Sequence, residues 1–135
     1  NKQGGGNEDG ILTALETTSL NLTGTKLVVL SACDTGVGRN VTGEGIYSLR
    51  RALVIAGSES QVISLWKESD TAAKDLMIAY FQKILGKNGK QQGRSEALRQ
   101  VQLEMLRGEK YQHPYYWAAF IPSGDWRRMG RAISF

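Results

Sequence analysis

The chain has 135 residues, the length of about one domain, with 41% hydrophobic and 22% charged residues, which excludes a large multidomain enzyme, a disordered chain and a coiled coil. Seventeen Lys and Arg against thirteen Asp and Glu leave a net charge of +4, a mild excess that permits contact with nucleic acid without requiring it. One cysteine (Cys33) and one histidine (His113) allow neither an intrachain disulfide nor a four-ligand Cys/His zinc site.

Residues 1–10 are glycine-rich and read as a flexible start or a cut end, with no basic or apolar region of a signal peptide. From Asp9 as a cap, the spacing of Ile11, Leu12 and Leu15 predicts a short helix ending before Asn21. Lys26 to Cys33 (KLVVLSAC) is a continuous apolar run and predicts a strand buried on both faces of a parallel sheet, with Cys33 at its carboxyl end. A glycine-bearing loop follows, then a helix over Glu44 to Ala56 with Ile46, Leu49, Leu53 and Ala56 on one face and Gly57 as its stop. Gln61 to Trp66 predicts a second strand, so these elements form a βαβ unit.

Ser69 or Asp70 caps the next predicted helix, whose apolar stripe is Leu76, Met77, Tyr80, Phe81, Ile84 and Leu85 and whose outer face is polar. After a basic connection over Gly86 to Gly93, Ser95 opens a helix to about Arg107 with Leu98, Val101 and Met105 inward. Tyr115 to Ile121 (YYWAAFI) predicts a third strand, closed by Pro122, Ser123, Gly124 and Asp125. Three strands are few for a doubly wound sheet, so the first is expected to need neighbours from outside the chain. No stretch of about 18 apolar residues is present, so no membrane span is expected, and a reducing cytoplasm is the expected compartment.

Ligand and catalytic groups of open α/β sheets gather beyond the carboxyl ends of the strands, where Cys33 falls. Cys33 reads either as a nucleophile presented by the small residues after it or as an ordinary core cysteine. On the same rim stand Asp34, next to the thiol, and Trp66, Glu68 and Asp70 after the second strand. On the residues alone Asp34 reads as a solvated loop carboxylate, Asp70 as a helix cap and Trp66 as a buried aromatic. The loop GVGRNVTGEG matches neither nucleotide-binding spacing, and Arg50, Arg51, Lys87, Lys90, Arg94, Arg127, Arg128 and Arg131 read as a solvated basic surface without the aromatics that single-strand binding needs.

Five blocks in order, LVVLSACDTGVG, GEGIYSLRRALVIAG, VISLWKESDTAAKDLMIAYF, EALRQVQLEML and HPYYWAAFIPSGDW, resemble the CHAT domains, caspase-like cysteine peptidases often found beside tetratricopeptide repeats in bacteria. The resemblance covers residues 11–126 and leaves 127–135 as a basic tail. It implies an α/β fold, a caspase-like three-layer sandwich with a mostly parallel sheet, of which this chain is the later half. It also implies Cys33 as the catalytic nucleophile, Asp34, Trp66, Glu68 and Asp70 as substrate-binding residues that would favour Lys or Arg, and no cofactor or metal.

In the family the catalytic histidine precedes the cysteine, yet no histidine stands upstream of Cys33. The implied partners are therefore the His-bearing half of the same domain, a tetratricopeptide-repeat region and a protein or peptide substrate, with nucleic acid involved only through a larger complex. An unassisted cysteine is mostly thiol at neutral pH, so the chain alone is expected to be inactive. A catalytically inactive interaction module is the alternative, and a self-sufficient Cys33/His113 hydrolase is a remoter one, because Pro114 sets His113 at an extended strand entry.

Overall fold

The structure is a computed structural model and describes residues 14–30, 44–87 and 89–130. Its elements are α1 (Ala14–Thr18), β1 (Val28–Leu30), α2 (Glu44–Ala56), β2 (Ser60–Ser64), α3 (Asp70–Leu85), α4 (Arg94–Arg107) and β3 (Phe120–Gly124), with a 3-10 turn over Pro114–Tyr116. The strands lie in the order β1-β2-β3. β1 and β2 are parallel, with Val29 opposite Val62 and Leu30 opposite Ile63, whereas β3 runs antiparallel to β2 with Ile63 opposite Ile121.

Strand alternation sends neighbouring side chains to opposite faces, and both faces are covered. Val62, Val29 and Phe120 meet Leu76, Tyr80 and Ile84 of α3 and Ala97, Leu98 and Val101 of α4. Ile63, Val28, Leu30 and Ile121 meet Ile46 and Leu53 of α2. The result is an α/β arrangement in which the sheet lies between α2 and the α3/α4 pair. All five residues of β2 are buried. Full burial of each large apolar side chain here, such as Leu76 or Ile84, stabilises by about 1.5–3 kcal/mol.

The predicted α2 coincides with the observed one, and Gly57 ends it at φ +108°. A Cβ at Gly57 would stand 2.9 Å from the Thr23 backbone nitrogen, so both the conformation and the space require glycine. Other expectations are corrected. Leu15 of α1 is 81% exposed, and the buried residue of that helix is Thr17. β1 is only half buried, because β2 is its one neighbour among the described residues.

The third strand starts at Phe120, five residues later than Tyr115. Pro114 suits the first position of a turn, and the His113 ring accepts the Tyr115 N–H, so the aromatic run winds into a 3-10 turn before it extends. Pro122 then lies within β3, as an edge strand permits.

α3 is not polar on its outer side: Ala72, Leu76, Tyr80 and Ile84 are buried, but Phe81 and Leu85 face solvent. The Tyr80 hydroxyl has no hydrogen-bond partner among the described residues, and burial pushes its pKa up to about 12. Arg94, expected on the surface, is buried and gathers partners from three segments. The described part of the tail is bound rather than loose, since the carbonyls of Trp126 and Arg127 accept the Ser95 and Arg94 N–H groups. None of the helices among the described residues is long and apolar enough to cross a membrane.

Candidate active site at the carboxyl rim of the sheet

Because β1 and β2 are parallel and Leu30 lies opposite Ile63, the chain leaves both strands at the same rim. At the opposite, amino-terminal end of β2 the buried polar groups satisfy one another. The Gln61 amide donates to Ser58 Oγ at 2.7 Å, and its carbonyl oxygen accepts from Ser123 Oγ at 2.7 Å. Ser123 Oγ in turn accepts from Arg50 Nε at 2.8 Å.

The carboxyl rim differs. Trp66 is 37% exposed and its indole N–H donates to the Tyr115 carbonyl at 3.2 Å, while the Tyr115 hydroxyl donates to the Lys67 carbonyl at 2.9 Å. The Leu65 N–H donates to the Ala119 carbonyl at 2.8 Å. The segment after β2 is thereby clamped to the 3-10 turn, and Tyr115 becomes part of the rim. Nothing local in the sequence marks Tyr115 for that role; the reciprocal bonds span nearly fifty positions.

Trp66 thus sits between its two predicted roles, partly exposed with its N–H satisfied. Ser69 caps α3, its hydroxyl accepting the Ala72 N–H at 3.5 Å and its carbonyl the Ala73 N–H at 2.9 Å. Asp70 is therefore not the cap. It is exposed in the first turn, where its charge complements the helix dipole.

Glu68 is 93% buried as a residue, at 7% relative exposure, and its Oε2 has no hydrogen-bond partner among the described residues. Burial raises its carboxyl pKa above the ordinary 4.5; its own backbone N–H opposes the shift and the Asp70 charge adds to it. Cys33 and Asp34 lie outside the described residues.

His113 is exposed, and its Nδ1 accepts the Tyr115 N–H at 3.1 Å. That hydrogen bond holds the ring at the start of the 3-10 turn. Among the described residues no group of three or more His, Cys, Asp or Glu could hold a metal ion.

The sign of the Glu68 shift gives a testable outcome. The folded state holds this proton more tightly than the unfolded chain, so the associated stability is present below about pH 4.5 and is lost as pH rises past it. Glu68→Gln, which removes the charge and keeps the shape, is expected to raise resistance to urea at neutral pH, with the gain shrinking below about pH 4.5. An equal gain at both pH values would contradict the assignment.

A sheet covered on both faces by helices, with a partly open carboxyl rim, defines an α/β protein whose candidate site lies beyond the strand ends. The CHAT domain profile matches residues 1–125, and the chain belongs to that family, which is related to the caspase-like proteases. It is 33% identical over 115 residues to tetratricopeptide repeat protein 28 of Mus musculus and 31% identical over 115 residues to tetratricopeptide repeat protein 28 of Homo sapiens. Each alignment covers 85% of this chain and 4% of the relative, so the chain spans a small fraction of either protein. No solved structure matches.

Proposed function

We propose that this chain is the nucleophile-bearing part of a caspase-like cysteine endopeptidase. The observation that carries the reading is the asymmetry of the central strand: polar groups at its amino end are mutually bonded, while beyond its carboxyl end Glu68 is buried with an oxygen unpartnered among the described residues. Such a group is costly to the fold and is explained by a ligand that supplies the missing donor. Membership of the CHAT family and the SAC block ending at Cys33 support the nucleophile.

In this reading the Cys33 thiolate attacks the scissile carbonyl carbon, and a histidine of the upstream half protonates the leaving amine. Water then hydrolyses the acyl-thioester, releasing the new carboxylate and restoring the thiol. Glu68 and Asp70, with Asp34 and Trp66, form the pocket for the residue before the cut bond and favour Lys or Arg. The far edge of β1 carries no pairing among the described residues, which supports its completion by a strand of that upstream half. Relatives named for tetratricopeptide repeats support control by such a region, and the cytoplasm is the proposed compartment.

The commitment of His113 to capping the turn supports inactivity of the chain on its own. A peptide library offered to the intact protein tests the specificity. Cleavage after Lys or Arg is expected, weakened selectively by Glu68→Gln; cleavage after Asp would overturn the pocket assignment.

A further inference from the structure

The outer side of α3 is the feature that neither the core nor the candidate active site explains. At 100° per residue, Ile78, Phe81 and Leu85 fall on the side of the helix opposite Ala72, Leu76 and Tyr80. They are 48%, 40% and 43% exposed. With Met77 and Gln82 they line an open groove of about 390 Å³, and Lys74 and Lys87 complete its lining among the described residues. A surface helix ordinarily carries polar residues opposite its core face, and a helix apolar on both sides is normally covered on both.

The shape and the charge of this groove point to one kind of occupant. Positions 78, 81 and 85 follow the i, i+3, i+7 spacing by which one helix meets a stripe on another. Lys74 precedes the apolar stripe, and Lys87 follows it just past the left-handed cap at Gly86. Among the described residues no Asp or Glu lines the groove. Asp75, the nearest acid on the helix, is engaged by the Tyr111 hydroxyl at 2.7 Å and by Lys110 at 3.6 Å.

We propose that the outward face of α3 is a docking groove for an amphipathic helix of a partner protein, with apolar anchors on one stripe and acidic residues at both ends. The apolar stripe supplies most of the affinity and the two lysines fix the orientation and exclude basic helices.

The test uses the full 135-residue chain and three fluorescent synthetic peptides of about 18 residues: a Leu-striped helix with Glu at both ends, the same stripe with Lys at both ends, and the Glu-ended peptide interrupted by proline. Anisotropy is expected to show binding of the Glu-ended helix, at least tenfold weaker to Phe81→Gln and weaker in high salt. The double variant Lys74→Glu and Lys87→Glu should lose this peptide and gain the Lys-ended one. Circular dichroism of each variant checks that these exposed substitutions leave the fold intact.

Equal affinity for the Lys-ended or proline-interrupted peptide would overturn the proposal, as would no binding of the Glu-ended helix up to about 1 mM. Sedimentation equilibrium supplies the remaining outcome. Self-association abolished by Phe81→Gln would make a second copy of the chain the occupant and overturn the proposal as stated. Every readout is binding rather than cleavage, so the result is independent of whether Cys33 is a nucleophile.

Discussion

Replacing Cys33 by alanine in the intact protein is expected to reduce peptide cleavage by at least about a thousandfold, the usual consequence of removing the group that bonds to substrate. The rate is read from a fluorogenic peptide with Lys or Arg before the cut bond, under conditions where the wild-type protein turns over. Cys33→Ser is expected to be nearly as inactive, because a hydroxyl beside a base suited to a thiol is a far poorer nucleophile. An iodoacetamide-type reagent should label Cys33 rapidly in the intact protein and slowly once the upstream histidine is replaced, since in the proposed mechanism that histidine promotes the thiolate. The chain alone should show no turnover, and His113→Ala should change nothing, because the imidazole is spent on the Tyr115 N–H. Retention of a tenth or more of the activity in Cys33→Ala would remove the nucleophile assignment, and absence of turnover by the wild-type intact protein would leave the interaction module as the better reading.

The largest expected loss of stability is at Arg94. Its side chain is 4% exposed, with Nε donating to the Arg127 carbonyl at 2.9 Å and Nη1 to the Lys26 carbonyl at 2.7 Å. Nη1 also reaches Ser60 Oγ and Glu59 Oε2, and Nη2 lies 3.2 Å from Asp125 Oδ2. One guanidinium therefore ties the entry to β1, the start of β2, the start of α4 and the segment after β3. Arg94→Met keeps much of the apolar stem but leaves two carbonyls without this donor, for an expected loss of about 3–5 kcal/mol. For a chain of this size that corresponds to roughly 10–20 °C in Tm.

Arg99→Ala is the matched control. Arg99 pairs with Glu96 at 3.0 Å, but the two side chains are 65% and 48% exposed, so the change should cost under about 1 kcal/mol. Similar melting temperatures for the two variants would show that Arg94 is not the tie described.

What the sequence made legible was local. The spacing of Ile46, Leu49, Leu53 and Ala56 followed by Gly57 locates α2 to the residue, because helix period and glycine stop act within one element. The aromatic run before β3 misleads, because a strand propensity shared by seven residues yields to one proline and one capping histidine. Arg94 could not be placed inside from its own neighbours, since its partners lie up to 68 positions away and only the tertiary fold assembles them.

The site was legible to a similar degree. The carboxyl end of β2 is indeed the rim that carries Trp66, Glu68 and Asp70, but their environments differ in ways that no spacing reveals. Glu68 is buried, Asp70 is exposed, and Ser69 between them takes the cap. Phe81 and Leu85 extend the apolar stripe past the buried arc, because a helix in contact with the sheet and one neighbour buries a narrower arc than six apolar positions occupy.

The central strand has a further property that follows from its composition. Val62 faces one helical layer and Ile63 the other, so sliding β2 by a single position would exchange two apolar side chains between two apolar environments. Hydrophobicity alone therefore sets the register only weakly. The discrimination comes from polar pins: Gln61 with Ser58 and Ser123 on one side, and Ser60 with the Lys26 carbonyl and Arg94 on the other. A one-residue slip would carry both side chains to the wrong face and strand their hydrogen bonds in the interior, so these buried polar residues act as the chain's alignment marks.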